Sequence, residues 1–121
     1  MVLRVPDDGR TAEPAGGSTD PVDDDRTVTV RERILVMADG FRLPLISWHP
    51  PEPPIATVIA LHAFGDFRLA FAEAGPALAR RGFLVHAYDQ RGFGDTDGCG
   101  SWHGWRRLVR DLRAVIELLR P

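Results

Sequence analysis

One stretch limits the fold of this chain more than any other. Ile55-Ala56-Thr57-Val58-Ile59-Ala60-Leu61 carries no charge and a single hydroxyl. A strand with one wet face alternates apolar and polar side chains. A run without alternation belongs to a strand covered on both faces, as in a parallel sheet flanked by helices. Residues 83–88 are a second such run. Between the two, residues 69–80 read as a helix ended by Gly82, with Pro76 marking a boundary or a kink. Strand, helix and strand in this order imply a right-handed crossover between parallel neighbours.

Upstream, residues 27–37 alternate apolar and polar, with Val28, Val30, Ile34 and Val36 among the β-formers. Ala38-Asp39-Gly40 is a turn signal, and residues 41–48 resume β character, so the pair reads as an antiparallel hairpin. Pro44 points to an edge or bulged position for the second strand. Downstream, the glycine-rich loop 89–101 leads to the clearest helix. There Trp105, Leu108, Val109, Leu112, Val115, Ile116 and Leu119 recur at three- and four-residue spacing, with Ser101 read as the cap. The stripe is assigned to core packing. The fold class is α/β: an antiparallel leading hairpin, then parallel strands with crossover helices.

Residues 1–26 are expected to be a disordered acidic Gly/Pro tail, and residues 27–121 the folded part. The first segment holds seven acidic residues against three arginines, and such a composition buries too little apolar surface to offset its ordering entropy. The whole chain nets −2, which gives no electrostatic case for nucleic acid or an anionic membrane. The lone Cys99 excludes an internal disulfide and any multi-cysteine metal site. No signal peptide or membrane-length apolar run is visible, so a cytoplasmic location is expected.

Two turns carry the chemistry. His62-Ala63-Phe64-Gly65-Asp66 follows the first buried strand directly. Turns at the carboxyl ends of central strands are where open α/β sheets place ligands, and their backbone N–H groups can hold a developing negative charge. Asp89-Gln90-Arg91-Gly92-Phe93-Gly94-Asp95-Thr96 follows the second. Asp89 and Arg91 can brace that loop, and Gly92 and Gly94 permit sharp turns.

Together these residues resemble the α/β-hydrolase family, in its monoacylglycerol-lipase, lysophospholipase and serine-aminopeptidase-like branch. That branch has a His-Gly-x-Gly-Asp/Glu turn after its third strand and an Asp-x-Arg-Gly-[His/Phe]-Gly-x-Ser loop after its fourth. The resemblance covers residues 28–121. It implies that the Phe64 backbone N–H forms half of an oxyanion hole, the other half coming from the residue after the nucleophile. It also implies that His62, Ala63, Gly65 and Asp66 shape the turn, and that Asp89, Arg91 and Gly92 support the site. No cofactor or metal is expected. Ala63 departs from the usual Gly and is expected to tilt the turn; Thr96 departs mildly from the usual Ser. The turn lacks the His-Gly-x-Pro form of dehalogenases and epoxide hydrolases, which favours acyl chemistry.

The largest departure concerns the nucleophile. Ser18, Ser47 and Ser101 are the chain's serines, and none lies in Gly-x-Ser-x-Gly. A serine hydrolase needs nucleophile, base and orienting acid within hydrogen-bond reach. The chain is therefore read as the N-terminal part of a serine hydrolase of lipid-type esters, inactive alone and arising from a split or truncated gene. In the family's strand order, residues 57–61 would then form an exposed apolar edge prone to association. A complementary C-terminal polypeptide, or self-association through that edge, is the expected partner, alongside the ester substrate. The alternative is a non-catalytic module that binds another chain by strand addition at the edge.

Other residues receive plainer readings. His62 braces its turn rather than acting as a base. His49, His86 and His103 lie on different elements, against a zinc site. Asp95 and Asp97 oppose a lowered Cys99 thiol pKa. Gly98 is one residue too far on for a Gly-x-Gly-x-x-Gly dinucleotide fingerprint. Trp102 and Trp105 are assigned to core or lid packing.

Overall fold

The computed structural model describes residues 2–5, as backbone, and residues 27–121. Among the described residues five strands form one sheet: β1 (Val2–Val5), β2 (Thr29–Val36), β3 (Arg42–His49), β4 (Ala56–Ala60) and β5 (Phe83–Tyr88). Their order is β1-β4-β5-β3-β2. β4 and β5 pair in parallel, Val58 opposite Val85, and the other pairings are antiparallel. A 3-10 turn (Arg68–Phe71) and helix α1 (Ala74–Arg80) connect β4 to β5, and α2 (Trp105–Leu119) follows.

The uninterrupted apolar run behaves as its composition requires. Every residue of β4 is buried. On one face Val58 and Ala60 pack with Trp48, Val85 and Ala79 of α1. On the other, Ile59 and Leu61 pack with Leu43, Leu45, Tyr88, Val115 and Leu119 of α2. α1 lies close to the sheet because Gly75 has no side chain: a Cβ there would overlap the Trp48 ring.

Several expectations change. The helix read over 69–80 is two pieces, with α1 beginning only at Ala74. Pro76 explains the break: it has no N–H to donate, and its ring disfavours a helical carbonyl four residues earlier, at Ala72. Pro44 is in an interior strand, not at an edge. Its carbonyl accepts from the Asp89 N–H at 2.9 Å, and a residue's N–H and C=O point to the same side of a strand. The missing donor therefore faces β5 beyond the end of the β3–β5 pairing, which begins at Leu45 opposite Tyr88. Ser101 does not cap α2. Gly104, at φ 86°, precedes Trp105, and its carbonyl receives the Leu108 N–H.

The edge expected to be bare is paired. Val2–Val5 run antiparallel along it, from Val2 opposite Ala60 to Val5 opposite Thr57. These residues fall in the segment assigned to a tail by composition; four β-compatible residues find a ready ladder, and that outweighs the composition of their neighbours. Residue 1 and residues 6–26, the rest of that segment, lie outside the described residues. Among the described residues no helix is long and apolar enough to cross a membrane.

A buried polar pair also crosses the sheet. Ser47 Oγ and His86 Nδ1 lie 2.6 Å apart on neighbouring strands. Burial pushes the His86 pKa down to about 4, with the charges of His49 and Arg33 acting in the same direction.

Two outcomes follow. Replacing Gly75 with Val should destabilise the fold by about 2 kcal/mol through overpacking against Trp48, read as a lower urea midpoint. Stability should also fall with pH. Between pH 6.5 and about 4 the unfolded chain binds a proton that native His86 refuses. Stability present above pH 6.5 is therefore lost progressively down to about 4, by up to about 3 kcal/mol. Urea titrations at pH 7.5, 5.5 and 4.5 should show the loss, and His86→Gln should flatten it.

Candidate functional site

Because β4 and β5 are parallel, the turns that follow them emerge side by side at one rim of the sheet. The first turn is held mostly from within. The Asp66 N–H bonds to the Ala63 carbonyl at 3.1 Å, and Asp66 Oδ1 accepts from the Phe67 N–H at 2.9 Å. Gly65 carries the positive φ, 81°, that closes the turn, a conformation open to glycine at little cost. Ala63 has no left-handed backbone, since no described non-glycine residue does; the alanine in place of glycine requires no strained backbone. Among the described residues, the Phe64 and Gly65 amides are paired with no acceptor.

His62 joins the two turns. Its Nδ1 lies 2.8 Å from the Ala63 carbonyl, and its Nε2 accepts the Gln90 N–H at 3.0 Å. A carbonyl only accepts and an amide N–H only donates, so these partners place the proton on Nδ1. The Gln90 side chain returns a bond to the His62 carbonyl at 2.9 Å. Both ring nitrogens are thus engaged, which suits a brace and not a base.

Asp89 is fully buried and receives three bonds. The Arg68 amide reaches Oδ1 at 2.7 Å, while the Arg68 guanidinium and the Asp95 amide reach Oδ2 at 2.6 and 2.9 Å. Arg68 also bonds Asp95 at 3.0 Å. Gly94 must lack a side chain here, because a Cβ would run into the Asp89 carboxylate.

Arg91 forms a second clamp. It bonds Asp111 of α2 through Nε at 2.9 Å, bonds Asp39 of the hairpin turn through Nη1 at 2.6 Å, and stacks over Phe41 at 4.1 Å. Its guanidinium holds the Asp39 carboxyl well below the usual carboxylate range. The second loop is closed by Thr96, whose hydroxyl donates to the Phe93 carbonyl at 2.8 Å and accepts from the Gly92 N–H at 3.1 Å. A serine would make the same two bonds.

Sequence reasoning passed over Arg68 and gave Gln90 and Asp95, though quoted in the second motif, no bracing role. Their role depends on tertiary proximity; the one available signal was an arginine lodged between Phe67 and Leu69. Of the two readings given for Trp102 and Trp105, core or lid packing, the exposure of both excludes the core. They stand 50% and 70% exposed, with rings 5.0 Å apart, and Trp102 lies 5.8 Å from Phe64. Val109 is exposed as well, while Leu108, which lies between Trp105 and Val109 in the α2 stripe, is buried. Ser47 and His86 are buried within the sheet and not at the rim. Among the described residues no group of three His, Cys, Asp or Glu could hold a metal.

A family model described as serine aminopeptidase, S33, matches residues 52–121, the stretch that contains both turns. The chain belongs to this α/β-hydrolase family. An abhydrolase domain-containing protein of Dictyostelium discoideum is 36% identical over 84 residues, covering 69% of this chain and 9% of its own length. Epoxide hydrolase B of Mycobacterium tuberculosis is 31% identical over 80 residues, covering 64% of this chain and 22% of its own. Among solved structures, a thioesterase domain from the curacin biosynthetic pathway superposes with a TM-score of 0.63 at 27% identity, over 77% of this chain and 32% of that one. The chain thus spans a third or less of these relatives.

The Asp89 clamp should dominate the stability of the rim. Asp89→Ala leaves Arg68 largely buried without its main partner and should cost about 3 kcal/mol. Hydrogen exchange should then rise first at residues 66–68 and 94–96, where the lost bonds sit.

Proposed function

We propose that this chain supplies the oxyanion-binding turn of a serine hydrolase acting on carboxylic, lipid-type esters. Its amide donor is the Phe64 N–H, and His62, Ala63, Gly65 and Asp66 shape the turn around it. Asp89, Arg91 and Gly92 keep the neighbouring loop in register. The observation that carries the reading is the unpaired Phe64 amide on a turn braced from β4 and β5 together. In ester cleavage, a nucleophile adds to the carbonyl carbon and the carbonyl oxygen takes up the electron pair. A fixed N–H at that oxygen lowers the barrier without reorganising. Relatives include both a candidate monoglyceride lipase of Schizosaccharomyces pombe and epoxide hydrolases. Ester chemistry is preferred here because the turn, His62-Ala63-Phe64-Gly65, lacks the His-Gly-x-Pro form of epoxide hydrolases.

Cys99 and Ser101 line a cleft at this rim, but among the described residues neither side chain is hydrogen-bonded to a base that would activate it. His62 has both nitrogens occupied, and Ser47 and His86 are buried in the sheet. Nucleophile, base and orienting acid must come from another polypeptide stretch. Strand addition at the β4 edge, the non-catalytic alternative, is less favoured because β1 already occupies it.

The chain alone should cleave p-nitrophenyl butyrate no faster than buffer. Mixed with a polypeptide carrying the Gly-x-Ser-x-Gly elbow and the later triad residues, it should gain activity. Phe64→Pro, which removes the N–H, should then lower kcat about 100-fold with a smaller change in KM. Ester cleavage by the chain unaided, or full activity with Phe64→Pro, would refute the assignment.

A further inference from the structure

Between the two turns lies a cleft of about 280 Å³ walled by aromatic rings. Phe64 comes from the first turn, Phe93 from the second, and Trp102 from the loop before α2. Phe64 meets Phe93 edge-on at 5.3 Å and Trp102 at 5.8 Å. Phe64 is nevertheless 77% exposed. Gly92 and Gly94 line the cleft without side chains. Gly92 is also fixed as glycine by its backbone, because a Cβ would strike the Ser101 carbonyl. Asp66 brings negative charge to the lining, and no Arg or His joins it. The volume sits at the lower edge of small-ligand sites, so the cleft suits one part of a molecule.

We infer that this cleft receives the neutral, apolar chain attached to the substrate's carbonyl carbon, with Phe93 and Trp102 as specificity-determining residues. The inference rests on the Phe64 amide assignment above. One residue links the two functions: the Phe64 ring walls the cleft, and its amide belongs to the same backbone turn. A carbonyl oxygen held at that amide leaves its acyl chain beside the rings. Asp66, with no cation in the lining, disfavours a carboxylate. The ester therefore binds better than the free acid it releases, which helps the product leave.

The test uses the intact chain with Trp105→Phe, so that Trp102 is the exposed fluorophore and buried Trp48 the constant background. Methyl octanoate, methyl acetate, octanoate and 1-octanol are titrated at pH 8, below their aggregation limits. Methyl octanoate should shift the emission saturably and bind at least tenfold more tightly than methyl acetate or octanoate. Trp102→Ala and Phe93→Ala, checked for native circular dichroism and followed by ligand-observed NMR, should each weaken binding at least fivefold. Trp102 is half exposed, so its variant keeps the test valid if Phe93→Ala fails to fold. Equal binding of 1-octanol and methyl octanoate supports the cleft while counting against the Phe64 amide as a carbonyl contact. Methyl octanoate binding that is unchanged in Trp102→Ala, or no tighter than methyl acetate, overturns the inference.

Discussion

The rim of this sheet depends on one buried carboxylate. Asp89 has no exposure to solvent, and an ionised carboxylate in that position is tolerated only when its oxygens are filled. Three donors fill them, and they come from the chain after β4 and from the loop after β5. The charge therefore locks the connection that leaves the first turn against the second turn. Gly94 follows from the same constraint, since the carboxylate occupies the space of its missing side chain. Arg91 repeats the logic with opposite sign, as a buried guanidinium held between Asp39 and Asp111. The first clamp fixes the two turns to each other; the second fixes the loop to the leading hairpin and to α2.

What the sequence made legible is what depends on local pattern. The run at residues 55–61 could hardly be anything but a doubly covered strand, and α2 announced itself by its spacing. The glycines of the two turns follow from backbone geometry that few other residues accept. The rest depended on neighbours distant along the chain. Pro44 looked like an edge residue because sequence cannot tell which side of a strand has no ladder partner. Arg68 drew no reading at all, because its partners Asp89 and Asp95 are distant along the chain and come within 3.0 Å only in the fold. Trp102 and Trp105 were read as core or lid because aromatic rings are usually covered, and only the fold shows that Trp102 lines the cleft with Trp105 against it.

β1 marks a different limit of sequence reading. A four-residue strand has too little pattern to stand out from an acidic, proline-containing segment, and its reason to form lies in β4. The edge of β4 is apolar, buried on both faces and in need of hydrogen-bond partners. Val2–Val5 supply them in antiparallel register. The topology expected from the motifs and the topology observed agree from β2 to α2 and part at that edge.

If the rim works as proposed, that edge decides what it can do. A nucleophile serving the Phe64 amide would then have to reach the carboxyl end of β4 from a side not already filled. β5 holds one side, with its own loop clamped by Asp89 and Arg91. The other side is the place of β1. A strand that carried a nucleophile there in parallel with β4 would take over the ladder that Val2–Val5 now use, because a strand edge offers only one set of N–H and C=O groups. Four ladder residues on a short antiparallel strand are a modest barrier to such an exchange. On the proposed reading, the same edge would take either a strand that merely satisfies the backbone or one that completes an active site, and the two would exclude each other.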